Sequence, residues 1–213
     1  MKIAVFDLDG TLADTLADLA DAVNHGLNEL GCPEHTYDEY RYMVGNGARM
    51  LCLRALPDDR KGELEQLRKL FSRYYGSHFL EKTRLYDGIE DLLRKLSDGG
   101  VKLAVATNKP EEFAEQIIGK LLPDVPFVRV LGGCSHRPVK PDTQILAEIF
   151  AELPDEDCEA FMIGDSNVDI QTAHNAGITG IGCTWGFRGR EELERAGADL
   201  IADAPGDIAG FVL

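Results

Sequence analysis

The stretch Ile3-Ala4-Val5-Phe6-Asp7-Leu8-Asp9-Gly10-Thr11 limits what this chain can fold into more than any other part of it. Four apolar residues in a row read as a strand buried on both faces, the kind found in parallel sheets. The strand runs into two carboxylates at i and i+2, followed by a glycine. Side chains alternate along a strand, so Asp7 and Asp9 point the same way only if the chain stays extended past the sheet edge. In open α/β sheets ligands sit beyond the carboxyl ends of the strands, which is where this pair falls. Two anions that close repel unless a cation or a shared proton holds them. Oxygen ligands alone favour Mg²⁺ over zinc or copper. A calcium loop of the EF-hand type also opens D-x-D-G, but Leu12 stands where that loop needs its glycine, and a strand rather than a helix leads in. A pair of solvated turn aspartates is the plainer alternative from this stretch alone.

The pattern then becomes helical. From Thr15 to Leu30, apolar residues at Leu16, Leu19, Val23, Leu27 and Leu30 lie on one helical face, with Gly31 as a stop. Thr36 and Glu39 have capping-box spacing and open a second helix through Tyr42 and Met43. Val44-Gly45-Asn46-Gly47 breaks it. A third helix is expected from Ala48 to Ala55 and a longer one from about Arg60 to Phe79, with no strand signal over residues 14–81.

Beyond Tyr86-Asp87-Gly88 helices and strands alternate. Strands are expected at Val101–Ala106, Phe127–Leu131, Ala160–Ile163, Ile178–Cys183 and Asp199–Ala202. Helices are expected over Ile89–Leu96, from Pro110 through Leu121, over Thr143–Phe150, and up to Ala176 with Gly177 as a stop. Such alternation implies a parallel sheet covered on both faces. The expected fold is therefore α/β: a Rossmann-like, doubly wound parallel core built from residues 1–13 and 82–213. A small α-helical cap domain, residues 14–81, is inserted after the first strand.

Composition narrows the partners. At 213 residues and 44% hydrophobic content the chain can bury an ordinary core. A net charge of −15 argues against nucleic acid or an anionic membrane, both of which want basic patches. An anionic substrate entering that field needs local cations, so a metal and a few placed lysines and arginines become informative. The five cysteines are spread out with no Cys-x-x-Cys pair, as expected of buried free thiols. No basic leader or long apolar span is visible, so a soluble, cytoplasmic protein is expected.

Three further polar clusters join Asp7 and Asp9. Thr107-Asn108-Lys109 follows an expected strand and offers a hydroxyl and an amide to phosphate oxygens, or caps the helix ahead of Pro110. Lys140-Pro141-Asp142 precedes a helix; the proline and the capping Asp142 hold Lys140 at a defined place. Gly164-Asp165-Ser166-x-x-Asp169 again sends carboxylates out of a buried strand, with helix capping as the other role. A hydroxyl, a lysine and four carboxylates on one sheet edge call for a ligand that is both metal-bound and anionic. A phosphoryl group satisfies both.

These motifs, in this order and over essentially the whole chain, resemble the four motifs of haloacid-dehalogenase-superfamily phosphohydrolases. The helical insert is similar to that superfamily's small cap. Val44-Gly45-Asn46-Gly47 with Leu51 and Arg54-Ala55-Leu56, Thr184-Trp185-Gly186, and Ala196-Gly197-Ala198-Asp199 resemble its phosphoglycolate phosphatase group. The resemblance implies Asp7 as nucleophile and Asp9 as acid and base. It implies Mg²⁺ on the Asp7 carboxylate, the Asp9 carbonyl and Asp165, with Asp169 supporting or ligating. Thr107, Asn108 and Lys140 would hold the phosphoryl oxygens.

A sugar-phosphate mutase of the β-phosphoglucomutase type, or a pyrophosphatase, would share the core motifs. A non-catalytic phospho-receiver domain is shorter and lacks the insert. The metal-free dehalogenase branch lacks a second aspartate, which this chain has in Asp9. For a small phosphorylated acid the cap should offer a cation, and Arg49, beside Asn46, is the expected candidate. The five histidines read as surface or packing residues.

Overall fold

The computed structural model describes residues 1–154 and 158–213. Strand β1 (Lys2–Phe6) leads to the short β2 (Ala13–Asp14) and then to helices α1 (Leu16–Glu29), α2 (Tyr37–Met43), α3 (Gly47–Ala55) and α4 (Leu64–His78). The chain returns through β3 (Arg84–Leu85) to α5 (Ile89–Asp98), β4 (Lys102–Pro110), α6 (Glu111–Leu121), β5 (Phe127–Gly133) and α7 (Gln144–Phe150). It ends with β6 (Glu159–Gly164), α8 (Asn167–Ala176), β7 (Thr179–Cys183), α9 (Arg190–Ala196), β8 (Leu200–Ala202) and α10 (Pro205–Val212).

Six strands form one sheet in the order β5-β4-β1-β6-β7-β8, and every pairing is parallel. Alternation along β1 explains both apolar layers. Ala4 and Phe6 face a cluster with Leu93 and Leu96 of α5 and Ile117 of α6, while Ile3 and Val5 face Ile145 and Ile149 of α7. Each such fully buried side chain contributes about 1.5–3 kcal/mol relative to exposure. Helices therefore cover both faces, and the α/β, doubly wound architecture is as expected. The chain winds outward from β1 through β4 and β5, then returns to β6 on the other side of β1. That reversal puts the switch point, and with it the ligand crevice, at the ends of β1 and β6.

The inserted helices have their own core. Leu19, Val23 and Leu27 of α1 meet Leu67, Phe71 and Tyr75 of α4, with Tyr40 and Leu51 closing the cluster. The capping box at Thr36 is formed: its hydroxyl accepts from Glu39 N, and the Glu39 carboxylate accepts from Thr36 N at 2.7 Å.

Some elements differ from expectation. The long helix expected from Arg60 is split into a 3-10 turn over Asp58–Glu63 and α4. β2 and β3 pair antiparallel where the chain leaves and re-enters the core; two residues each are too few for a periodic signal. Helices α9 and α10 were not anticipated, since α9 buries only Leu193 and leaves little apolar periodicity to read. Cys32, Cys52 and Cys183 are buried, but Cys134 is half-buried and Cys158 exposed. Among the described residues no helix is long and apolar enough to cross a membrane.

Candidate active site

The chain does not stay extended after β1. Asp7 N still donates to Ile163 O at 2.9 Å, one step beyond the strand. Then Thr11, Leu12 and Ala13 all turn their N–H groups onto Leu8 O, and Gly10 takes φ +85°. A side chain is doubly excluded at Gly10: the backbone is left-handed, and an added Cβ would run into the Asp165 carboxylate. The turn parts the two aspartates, which face different partners rather than one.

Asp7 stands in an acidic cluster. One carboxylate oxygen from each of Asp7, Asp165 and Asp169 can be chosen so that all three lie within 4.8 Å of one another, and all three residues are buried. Lys140 supplies the facing cation. Its Nζ donates to Asp169 Oδ1 at 2.6 Å and to Ala106 O at 2.8 Å, and lies 3.1 Å from Asp7 Oδ1 as an ion pair. Ser166 N and Oγ both donate to Asp169 Oδ2, which leaves Asp169 with both oxygens engaged. Asp165 Oδ2 accepts from Phe187 N at 2.6 Å.

Burial pushes the Asp7 carboxyl up to about 6, with Lys140 opposing and Asp169 and Asp9 reinforcing the rise. Burial, then Asp169 and Asp7, hold the Asp165 carboxyl well above the usual carboxylate range. Burial disfavours the Lys140 ammonium, but Asp169 and Asp7 outweigh it and raise its pKa. Three carboxylates facing one ammonium leave an excess of two negative charges, which a divalent cation would balance. Among the described residues Asp7 Oδ2 and Asp165 Oδ1 accept no hydrogen bond, so oxygen donors remain for such an ion.

Asp9 is held separately. Thr15 Oγ1 donates to its Oδ1 at 2.7 Å and Lys109 Nζ at 2.9 Å. Lys109 is itself buried, and its pKa is raised because the Asp9 and Tyr75 contacts outweigh burial. Both aspartates open onto one narrow cavity between insert and core, lined on the core side by Thr107, Asn108, Lys109 and Phe113 and on the insert side by Phe71 and Tyr75.

The haloacid dehalogenase-like hydrolase model matches residues 4–183, the span from Asp7 and Asp9 through Thr107 and Lys140 to Asp165 and Asp169. The chain belongs to that family. A phosphoglycolate phosphatase of Vibrio parahaemolyticus is 33% identical over 219 residues, covering 100% of this chain and 96% of its own. One from Vibrio vulnificus (strain CMCP6) is 34% identical over 220 residues, with the same coverage of 100% and 96%. The crystal structure of a predicted phosphoglycolate phosphatase from Haemophilus somnus superposes with a TM-score of 0.88 at 29% identity, over 100% of this chain and 98% of that one. Within the family the chain is a phosphatase, a phosphoric monoester hydrolase.

Of the residues singled out in the sequence, Asp7, Asp165, Asp169 and Lys140 meet directly, and Asp9 and Thr107 line the adjoining cavity. Three others differ. The Asn108 side chain, expected on phosphoryl oxygens, is occupied: Nδ2 donates to Gly45 O and Lys140 O, and Oδ1 accepts from Lys140 N. It ties the lysine loop to the insert instead. Asn46 Oδ1 accepts from Arg54 Nη2, and Asn46 does not line the cavity. Arg49 is exposed on α3 and also lies off the cavity, because its helical position turns it to solvent while Leu51 and Cys52 turn inward. The residues missed are Lys109 and Tyr75. A lysine directly after a strand-end Thr-Asn pair was a signal for the first; a tyrosine hydroxyl on an apolar stripe was the only one for the second.

Proposed function

We propose that this phosphatase is Mg²⁺-dependent, acts on small phosphorylated acids with 2-phosphoglycolate as first candidate, and works through an aspartyl-phosphate on Asp7. The observation that carries this is the separation of the two aspartates, Asp7 with Lys140 and the acidic cluster, Asp9 with Lys109 and Thr15. Different surroundings suit two carboxylates to different roles. Mg²⁺ would be held by the carboxylates of Asp7 and Asp165 and the carbonyl of Asp9, and would offset the repulsion between an attacking carboxylate and a phosphate dianion.

Asp7 forms a C–O–P bond as the bond from phosphorus to the leaving oxygen breaks, and Asp9 gives that oxygen its proton. Asp9 then takes a proton from water, whose oxygen attacks phosphorus, releases phosphate and restores Asp7. Lys140 and Thr107 balance and orient the phosphoryl oxygens, with Asp169 holding Lys140 in place. The helical insert, residues 14–81, serves as the cap that excludes bulk water. The substrate assignment is supported by the names of the curated relatives and by the apolar insert-side wall of the cavity.

The test is phosphate release from a panel of phosphorylated metabolites by wild type and Asp7→Asn. The variant should fold and show no turnover, and wild type should release phosphate fastest from 2-phosphoglycolate. Wild-type rates in Asp7→Asn would refute the mechanism. Isomer formation from a sugar phosphate without phosphate release would refute the substrate class.

A further inference from the structure

Among the described residues the Tyr75 hydroxyl is the side-chain polar atom that is shut off from solvent and still lacks a well-formed hydrogen bond. Tyr75 comes from α4, is 1% exposed, and lines the cavity above Asp7 and Asp9. Its ring is fixed, stacked on Phe71 at 5.2 Å between centroids and met edge-on by Phe113 at 5.0 Å. Lys109 Nζ lies 5.0 Å from the ring centre and interacts with the hydroxyl oxygen, but an ammonium can only donate, so the hydroxyl's own proton still has no acceptor. A phenylalanine would fill the same space and leave nothing unpaired. The hydroxyl therefore lacks a partner that the chain itself does not supply.

The surroundings define that partner. Among the described residues Lys109, paired with Asp9 on one side, is the cation lining the cavity, and the insert-side wall beside Tyr75 is apolar, with Leu19, Val44, Leu51 and Phe71 facing Phe113 of the core. A polyhydroxylated group would strand several hydroxyls there. A single short anion would not. We propose that Tyr75 and Lys109 form the leaving-group subsite, Tyr75 donating a hydrogen bond to a carboxylate oxygen of a phosphorylated hydroxy acid and Lys109 placing positive charge beside it. This rests on the phosphatase reading above and makes Tyr75, rather than Arg49, the specificity-determining residue of the insert.

The test uses two phosphonates that cannot be hydrolysed: 3-phosphonopropionate, the carbon isostere of 2-phosphoglycolate, and propylphosphonate, which lacks the carboxylate. Their binding to the Mg²⁺-loaded protein is measured by calorimetry for wild type and Tyr75→Phe, alongside kcat/KM for 2-phosphoglycolate and ethyl phosphate. Wild type should prefer 3-phosphonopropionate. Tyr75→Phe should weaken that ligand by roughly tenfold or more, as expected for a hydrogen bond to a charged group, while propylphosphonate binds as before and thermal stability does not fall. No wild-type preference, or equal loss for both phosphonates, overturns the proposal. If hydrolysis is robust but the ratios do not move, Tyr75 is wrong and the phosphatase stands; if neither ester is hydrolysed, the phosphatase reading fails and the binding ratio still decides Tyr75.

Discussion

Asp7→Asn should stabilise the metal-free protein at neutral pH and destabilise it relative to wild type when Mg²⁺ is present. Burial lifts the Asp7 carboxyl from the ordinary 3.8 to about 6, despite Lys140. Folded Asp7 thus holds its proton more tightly than the unfolded chain does. The stability contributed by that proton is fully present below about pH 3.8 and is lost as pH rises through about 6. That difference corresponds to roughly 3 kcal/mol. Asparagine mimics the protonated form but gives up part of the contact with Lys140, so about 1–3 kcal/mol is expected to remain.

For a chain of this size each kcal/mol moves Tm by about 2–4 °C. Thermal unfolding of metal-free wild type and variant should therefore coincide near pH 4 and separate by several degrees near pH 7.5, the variant higher. With Mg²⁺ at about 100 times its Kd wild type gains about 2.7 kcal/mol. The variant lacks an anionic ligand and gains less, so the order reverses. Taking the difference between two proteins cancels Glu39, Glu63, Glu111, Glu148 and Asp203, whose pKa values are lowered by hydrogen bonds and whose pH trend runs the other way. A metal-free gap that is absent at pH 7.5, or that does not change with pH, would refute the account of the acidic cluster.

Two further outcomes follow from the same contacts. Asp9→Asn should lower kcat by about 10²–10⁴, the usual worth of a general acid–base group, and should also lower Tm because buried Lys109 loses its counter-ion. Lys140→Met should cost about 3–5 kcal/mol, as for breaking a buried pair, measured by urea unfolding. Lys140→Arg should recover part of that stability and little activity, since a planar guanidinium cannot reproduce three contacts radiating from one nitrogen.

What could be read from the sequence follows the geometry of parallel strands. Asp7, Thr107 and Asp165 each stand at or just past the end of an apolar run, and in an alternating α/β chain those ends share one edge. Lys140, in the loop before α7, and Asp169, in the first turn of α8, were legible from their places beside those helix starts. Asn108 shows the limit: its amide was correctly seen as a donor, but its acceptors, Gly45 O and Lys140 O, belong to loops whose positions only the fold determines. Arg49 was placed by its closeness to a loop, without knowledge of which face of α3 turns inward. Tyr75 follows Leu64, Leu67 and Phe71 on one stripe of α4 and reads as core, which for its ring is correct. Only the orphaned hydroxyl distinguishes it, and that depends on what lies opposite in three dimensions.

The closed arrangement also says how a substrate must arrive. The cavity is narrow and lined from both insert and core. Under the proposed cap role, the two separate for substrate entry. Away from the crossings at β2 and β3, several polar contacts between them suit this: Asn108 to Gly45 O, Arg41 to Phe187 O and Gly186 O, and Arg188 to Val44 O. Each of these is a bond to a backbone carbonyl that water can replace, at a net cost of about 0.5–1.5 kcal/mol. The insert's own apolar cluster meets the core through Phe113 and Phe187 and through Phe79, which packs against both clusters. The two covalent crossings lie side by side at β2 and β3, and Asp18 clamps the return by accepting from Lys82 N and Thr83 N. Under the same cap reading, these two crossings would serve as the hinge. Tyr75 travels with the insert while Lys109 stays with the core, so a subsite built from both exists only when the two halves meet. Recognition of the leaving group and exclusion of water are then one event, and a substrate that fails to engage both residues leaves the closed state without that source of stability.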